Sequence, residues 1–352
     1  MHTKHTGLAP QYGIESLVSF IQNHTFSKLV ILVDENTHKH CLPQLEKHLT
    51  GIIEDAEILL VPPGEGSKSP EVLSSLWQSM LELNIDRDAL FLNLGGGVIT
   101  DLGGFTAATY KRGVSFINVP TTLLAMVDAA LGGKTGINIA GYKNQAGLFI
   151  TPQAVFIENS FLHTLEKREL LSGFAELYKH ALIAGGLFYE QVNKIDAVTP
   201  QTLTKNIIRE ACRVKLDIVE SDLYEKGSRK ILNLGHTIGH AVESGTMGSE
   251  NELKHGEAVA VGMCIENFIA EKVSGLNREL SKEITAKLQY FYPDAFKLSF
   301  DTDAVLEFCR ADKKNKGNRL SFSLLQAPGK VLTDCNPDEN TIAAAIEQYN
   351  EL

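Results

Sequence analysis

Glu176 in GFAELYKHAL, His236 in LNLGHTIGHAVE and His255 in LKHGEAVA place one carboxylate and two imidazoles on three separate segments. Two histidines and one carboxylate are a common protein contribution to a catalytic zinc, leaving one coordination position for water or substrate, whereas structural zinc sites draw more often on cysteine. Taken singly, each is an ordinary helix residue. Context argues for more, because Gly235, Gly239 and Gly256 flank the histidines inside otherwise helical apolar patterns, where glycine costs roughly 1 kcal/mol relative to alanine. Something other than helix stability keeps backbone and ligand close there. His240 follows His236 by four, so on a helix the two share a face as in HExxH sites, yet Thr237 stands where that motif has glutamate. With His255 as a further imidazole, His240 reads as a proton shuttle or phosphate contact, with a place among the metal ligands as the alternative. His38, His40, His48 and His163 read as surface or capping residues.

Two glycine-rich elements follow apolar runs. Gly95-Gly96-Gly97-Val98-Ile99-Thr100-Asp101 comes directly after Leu90 to Leu94, and glycines at a strand-to-helix turn let backbone N–H groups approach a pyrophosphate. The order is not GxGxxG, and a tight turn without a ligand is the plain alternative. Asp101 is placed either to N-cap its helix or to accept hydrogen bonds from a cofactor hydroxyl. Pro120-Thr121-Thr122-Leu123-Leu124 opens the second element, with Asp128 and Gly132-Gly133-Lys134-Thr135 after it. GGKT looks like the end of a Walker A loop, but Val127 occupies the position of the first glycine of GxxxxGK[ST], which excludes a P-loop. Lys134 remains well placed to hold an anionic group. Lys143 and Asn144 offer a cation and an amide for phosphate or ribose.

The elements that must position these residues show two regimes. Leu29 to Val33, Ile58 to Val61, Leu90 to Leu94, Phe116 to Val119 and Val155 to Ile157 read as strands alternating with helices around a mostly parallel sheet. Ser69 and Pro70 read as an N-cap and first helical position, followed by Val72, Leu76, Met80 and Leu83 at helical spacing. From about Leu165 helical patterns take over, as in Leu203 to Val219, Ile231 to Ser244 and Ala258 to Lys272, with a short strand at Leu320 to Leu325 and a last helix from Asn340. The expected organisation is an α/β Rossmann-like domain over residues 1–160 and a mainly α-helical one over 161–352, without a low-complexity linker.

Composition narrows the partners. A hydrophobic content of 43% with 22% charged residues is ordinary for a soluble globular enzyme. The formal net charge of -10 argues against nucleic acid or an anionic membrane surface, both of which need a positive face. Cys41, Cys212, Cys264, Cys309 and Cys335 are odd in number and form no CxxC pair, which fits reduced thiols in a cytosol. MHTKHTGLAPQYG lacks the apolar core of a signal peptide, and no run approaches the ~20 apolar residues that span a bilayer. The expectation is a cytoplasmic protein.

GGGVITDLGGFTAATYKRG, PTTLLAMVDAALGGKTGIN, YKNQAG, RELLSGFAELYKHALI, GSRKILNLGHTIGHAVE, HGEAVAVGM and DKKNKG, in this order, resemble the 3-dehydroquinate synthase family. The resemblance covers roughly residues 62 to 330. It implies an NAD-binding domain followed by a helical metal-binding domain, as in the dehydroquinate synthase and glycerol dehydrogenase group, usually as a homodimer. It implies that Glu176, His236 and His255 hold Zn2+ or Co2+. It sets NAD against Glu65, Lys68, Gly97, Asp101, Thr121, Thr122, Asp128, Lys134, Lys143 and Thr164. It gives Arg112, Lys134, Lys179, Lys215, Arg229, Asn233, His240, Lys313 and Lys314 to a phosphorylated, carboxylated substrate. Thr100 stands where the family often has glycine, Met126 where glutamine is common, and Leu223 where an acidic residue often follows Asp222.

The reaction this implies takes 3-deoxy-D-arabino-heptulosonate 7-phosphate to 3-dehydroquinate and phosphate through transient oxidation, elimination, re-reduction and ring closure. Arginine forks onto carboxylate or phosphate and lysine acts as a point charge, so basic residues inside these motifs point to a focused anion pocket in an acidic chain. Lys194, Lys282 and Lys287 match no motif and read as solvated. A metal-dependent polyol dehydrogenase would not require so many cations. A cyclase making an inositol-like or valiolone-like ring would not require the carboxylate contacts implied for Arg229, Asn233, Lys313 and Lys314.

Overall fold

The computed structural model describes residues 9–140, 142–311 and 320–352. They divide into two compact units, residues up to 170 together with 203–224, and residues 171–202 together with 225–352. The helix Lys205–Ser221, which lies past the boundary expected from sequence, thus belongs with the first unit. Thr204 caps it by accepting from the Ile207 N–H, and it packs on the short helix Leu123–Val127, where the Cys212 thiol lies 3.3 Å from the Met126 carbonyl.

The first unit is built on a parallel sheet. Strands β1 (Gln11–Tyr12), β2 (Leu29–Asp34), β3 (Glu57–Val61), β4 (Leu90–Gly95), β5 (Ser115–Pro120), β6 (Lys134–Ile139), β7 (Tyr142–Phe149) and β8 (Ala154–Ile157) follow in sequence. Six of them pair in the order β1-β8-β5-β4-β2-β3. β2, β4 and β8 are buried on both faces, which is why they read as unbroken apolar runs rather than alternating ones. β4 and β5 run in register from Leu90 opposite Ser115 to Gly95 opposite Pro120. The glycine turn and the Pro-Thr-Thr turn therefore leave the same end of neighbouring strands. The chain order reverses between β2 and β4, and open parallel sheets bind ligands outside the carboxyl ends of the strands at such a point.

The helix Gly97–Thr109 starts from that turn with Gly96 as its N-cap. Asp101 is not the cap that the sequence allowed for, since it sits in the second turn and pairs with Lys68 instead. Gly103 lies against the sheet, where an added Cβ would meet Asn93 Oδ1 at 1.8 Å and Leu32 Cδ2 at 2.9 Å. Asn93 itself donates to Asn118 on the next strand at 2.8 Å, with both residues buried. Helix Pro70–Glu82 begins as expected, with Ser69 accepting from the Val72 N–H and Leu73, Leu76 and Met80 facing inward.

Lys134 and Thr135 of GGKT and the whole of YKNQAG fall in the antiparallel hairpin of β6 and β7, with Lys134 opposite Phe149 and Gly136 opposite Gly147. Most of β7 is exposed, so it carries no alternating apolar signature.

The second unit is mainly helical, with one hairpin of β9 (Phe322–Ala327) and β10 (Lys330–Cys335). Its central element is helix His255–Val273, buried without interruption from Ala258 to Ala270. A helix apolar on all sides belongs in the middle of a bundle, and this one touches helices His236–Thr246, Arg278–Phe291 and Glu339–Asn350 and strand β9. Lys282 pairs with Glu279 at the surface, as expected. Lys287 departs from expectation: it donates to the carbonyls of Asn193 at 2.8 Å and Ile195 at 2.7 Å, just past helix Gly186–Asn193. Among the described residues, no helix is long and apolar enough to cross a membrane.

Gly103→Ala should destabilise the first unit by about 1–3 kcal/mol, the usual range for overpacking. A denaturation midpoint equal to that of the parent would show that Asn93 moves aside without cost.

Candidate active site

Three elements of the second unit bring the expected metal donors together. Helix Lys167–Ala184 carries Glu176, helix His236–Thr246 carries His236 at its first position, and helix His255–Val273 carries His255 at its first position. Glu176 Oε1 lies 3.2 Å from His236 Nε2 and 3.3 Å from His255 Nε2. Two donors 2.0–2.1 Å from one tetrahedral zinc stand about 3.3 Å apart. The separations are those a shared cation would set.

Proton accounting leads to the same place. His236 Nδ1 lies 3.0 Å from the Leu234 carbonyl, which can only accept, so Nδ1 carries the hydrogen and Nε2 turns a lone pair to the carboxylate. Burial, reinforced by the nearby Lys179 ammonium, pushes the His236 imidazole down to about 3 and keeps it neutral. Two acceptors therefore face each other at 3.2 Å. A divalent cation between them removes that conflict. Burial alone would raise the Glu176 carboxyl, but the Lys179 ammonium, with the hydrogen bond from His255, outweighs it and holds it well below the usual carboxylate range. For His255 burial also opposes charge, and hydrogen bonds to Glu176 and Glu243 reverse it, lifting the imidazole to about 10. Its Nδ1 is 3.3 Å from Glu243 Oε2, the carboxylate–histidine pairing that commonly orients a metal ligand.

The glycines beside the histidines have a packing reason. A Cβ on Gly256 would lie 2.0 Å from the Ser172 carbonyl oxygen, and one on Gly239 would press on Ala258 and Val259 backbone at 3.2–3.4 Å. The three segments meet backbone to backbone, which brings their side chains within reach of one ion.

Further expected residues belong to the same unit. Lys179, 1% exposed, lies against the second Glu176 oxygen and donates to the Leu232 carbonyl at 2.9 Å. The His240 ring centre is 5.2 Å from that of His236 and 6.1 Å from that of His255. His240, Glu243 and His255 also converge closely enough to share a cation. Arg229 is buried and Asn233 donates to Glu225 at 3.0 Å. Lys313 and Lys314 lie outside the described residues.

The remaining expected residues belong to the first unit, and several are joined. Lys68, 4% exposed, donates to Asp101 and to the Asn144 side-chain oxygen, both at 2.7 Å, and stands 3.7 Å from Glu65. Burial alone would lower its ammonium, but Asp101 and Glu65 hold it above its ordinary value. Asn138, which no motif singles out, donates to Glu65 at 2.8 Å and accepts from the Asn144 N–H at 2.8 Å. Asp128 accepts from Lys215 at 2.6 Å, linking a residue expected at the cofactor to one expected at the substrate. Thr121 is buried, Thr122 caps helix Leu123–Val127, and Gly97 opens its helix at the end of β4. Lys134 and Arg112 are exposed and Lys143 is half-buried. The Thr164 hydroxyl donates to Phe161 in its own turn.

Sequence reasoning passed over two carboxylates of the second unit. Glu243 falls seven residues after His236, hence on the same helix face, and Glu266 falls eleven residues, about three turns, after His255. Helical spacing from His236 would have found Glu243, whereas Glu266 sits in a continuously buried apolar helix and carries no such signal.

A parallel-sheet unit joined to a mainly helical unit is the fold of sugar phosphate cyclases and of glycerol dehydrogenase-like proteins. 2-Deoxy-scyllo-inosose synthase, solved with carbaglucose-6-phosphate, NAD+ and Co2+, is 25% identical with a TM-score of 0.84, over 96% of this chain and 95% of that one. 2-epi-5-epi-Valiolone synthase from Streptomyces hygroscopicus, solved with NAD+ and Zn2+, is 25% identical with a TM-score of 0.81, over 92% and 91%. A probable glycerol dehydrogenase from Sinorhizobium meliloti shares the fold at 14% identity, with a TM-score of 0.61 over 97% and 96%. Within that class, the model of the 3-dehydroquinate synthase N-terminal domain matches residues 58–172 and that of its C-terminal domain matches 173–315. The 3-dehydroquinate synthase of Parabacteroides distasonis is 39% identical over 95% of both chains. The chain belongs to the 3-dehydroquinate synthase family.

His255→Ala should lower the affinity of the cluster for zinc by at least two orders of magnitude without loss of helical circular dichroism. Undiminished binding of one equivalent would remove His255 from the donor set, and global unfolding would remove the effect from the site.

Proposed function

We propose that this chain converts 3-deoxy-D-arabino-heptulosonate 7-phosphate to 3-dehydroquinate, acting as a phosphate-eliminating carbon–oxygen lyase in which oxidation is transient. What carries the reading is the donor cluster of Glu176, His236 and His255 in a chain 39% identical over 95% of its length to a 3-dehydroquinate synthase. The cyclases of inosose and valiolone type stand further off, at 25%.

When bound, NAD takes up and returns the hydride while zinc or cobalt polarises the substrate hydroxyl. Glu176, His236 and His255 would hold the metal, and Gly97, Asp101, Thr121, Thr122, Asp128, Glu65, Lys68, Lys143 and Thr164 form the surface proposed for NAD. The chain's own task is then to hold an anionic substrate in one geometry and to manage protons. Arg229 presents a buried guanidinium, which can fork onto a carboxylate or phosphate with little hydration to displace. Lys179 is fixed by Glu176 and Leu232, so its charge is already oriented before substrate arrives. Asn233 is oriented by its hydrogen bond to Glu225 and belongs to the proposed substrate contacts. The His240 imidazole, beside His236 and His255, can hold or pass a proton. Lys134, Lys215, Arg112, Lys313 and Lys314 complete the proposed anion contacts. A cytoplasmic homodimer belongs to the same proposal; the five cysteines are free thiols.

If the hydride returns to the substrate in each turnover, NAD is required only in catalytic amount. Enzyme with excess heptulosonate phosphate and an amount of NAD equal to the enzyme should release many equivalents of phosphate with no lasting NADH absorbance. NADH rising in step with product would mean net oxidation and a dehydrogenase.

Arg229→Ala should lower kcat/KM on the order of 100-fold, because a charge-assisted hydrogen bond in a desolvated site is lost, while zinc and NAD affinities change little. Near-parental kinetics would show that Arg229 only packs.

A further inference from the structure

We propose that Glu266 is a positioning residue: its carboxylate takes the place of the missing N-cap side chain of helix His236–Thr246 and so fixes where His236 and His240 stand. This rests on the reading of His236 as a metal ligand, and it adds a residue to which neither the sequence motifs nor the donor cluster assigns a role.

A helix start leaves its first N–H groups without partners, and the N-cap side chain ordinarily satisfies one of them at the third helical residue. Here the N-cap is Gly235, in the left-handed conformation with φ 76° and no side chain to offer. The third helical residue is Ile238, whose N–H donates instead to Glu266 Oε1 at 3.1 Å, while the Gly235 N–H donates to Glu266 Oε2 at 2.6 Å. Glu266 is wholly buried. A carboxylate at a helix N-terminus is also favoured by the helix dipole, which helps to explain a charged group at such depth.

The cap comes from the neighbouring helix because the two axes touch. A Cβ on Gly262 would lie 2.1 Å from the Gly235 carbonyl oxygen and 2.6 Å from the Gly239 N, and one on Gly235 would meet Met263 Cγ at 2.5 Å. Glu266 lies one turn beyond Gly262 on helix His255–Val273, the helix that presents His255 at its first residue. One rigid element thus carries one donor and sets the start of the helix that carries another. Two acceptor oxygens are used on two different N–H groups. A glutamine supplies only one acceptor and turns an amide N–H toward the other donor.

The test compares Glu266→Gln with Ser274→Ala in the full chain. Ser274 is buried at the other end of the same helix and donates to Leu325 at 2.7 Å, so its loss weakens the helix without touching the Gly235 turn. Both variants should melt below the parent. Only Glu266→Gln should weaken zinc binding, by 10- to 100-fold as is usual for groups that orient metal ligands, measured by competition with a chelator. In metal-free protein, only Glu266→Gln should speed amide exchange in peptides spanning 235–240, by tenfold or more. Zinc affinity and amide exchange matching those of Ser274→Ala would overturn the assignment. If the parent itself takes up no zinc, the metal reading fails and amide exchange alone decides the role of Glu266. Should Glu266→Gln not fold, Glu266→Asp, which keeps the charge but withdraws it by one methylene, carries the same expectations.

Discussion

A carboxylate with no exposed surface must be compensated where it stands, and Glu176 is such a group. Its partners are Lys179 one turn along its own helix and the imidazoles of two further segments. The second unit is organised around satisfying this one charge. Lys179 is needed to keep the carboxylate ionised, and its own ammonium is tied to Leu232, the backbone just ahead of the Gly235 turn. Removing any member leaves a buried charge facing a group that cannot answer it, which is costlier than losing an exposed pair. The cluster also explains the neutral His236: an imidazole held unprotonated by burial beside an anion is poised for a metal rather than for a proton.

The first unit shows a parallel arrangement at Lys68. A single buried ammonium ties the turn after β3 to Asp101 on the glycine-rich helix and to Asn144 on the β6–β7 hairpin. With Asn138 bridging Glu65 and the Asn144 backbone, three pieces of chain distant in sequence are held by one charge. A hairpin whose β7 face is mostly exposed gains little from apolar burial, so its placement depends on these polar contacts.

Much of this was legible beforehand. The unbroken apolar runs located the doubly buried strands to within a residue or two, and Ser69-Pro70 marked a helix start that the structure shows. The glutamate and both histidines stood out by residue type and by the glycines beside them, and they converge. The reason for those glycines was not legible. Sequence suggested a close approach to a ligand; the structure shows Gly256 against Ser172 and Gly239 against the next helix, because helix-to-helix distance leaves no trace in a single chain. The β6–β7 hairpin escaped because most of β7 faces solvent and lacks a period-two pattern. Glu266 escaped because a buried glutamate in an apolar helix looks like any other until the helix start it serves is known. Lys287, matching no motif, was misjudged as solvated because the carbonyls it caps are more than ninety residues away.

The glycine crossing of helices His236–Thr246 and His255–Val273 limits how this chain can change. A side chain pressing on another side chain can be enlarged if its neighbour shrinks, so such contacts drift through paired substitutions. At Gly262 and Gly239 the neighbour is peptide backbone, which no substitution can trim. Laboratory selection for altered chemistry should find the cations and amides of the site replaceable one by one, while the helix crossing that sets their common geometry offers no neutral path. New specificities on this scaffold must come from what the crossing presents, since the crossing itself cannot be redrawn in small steps.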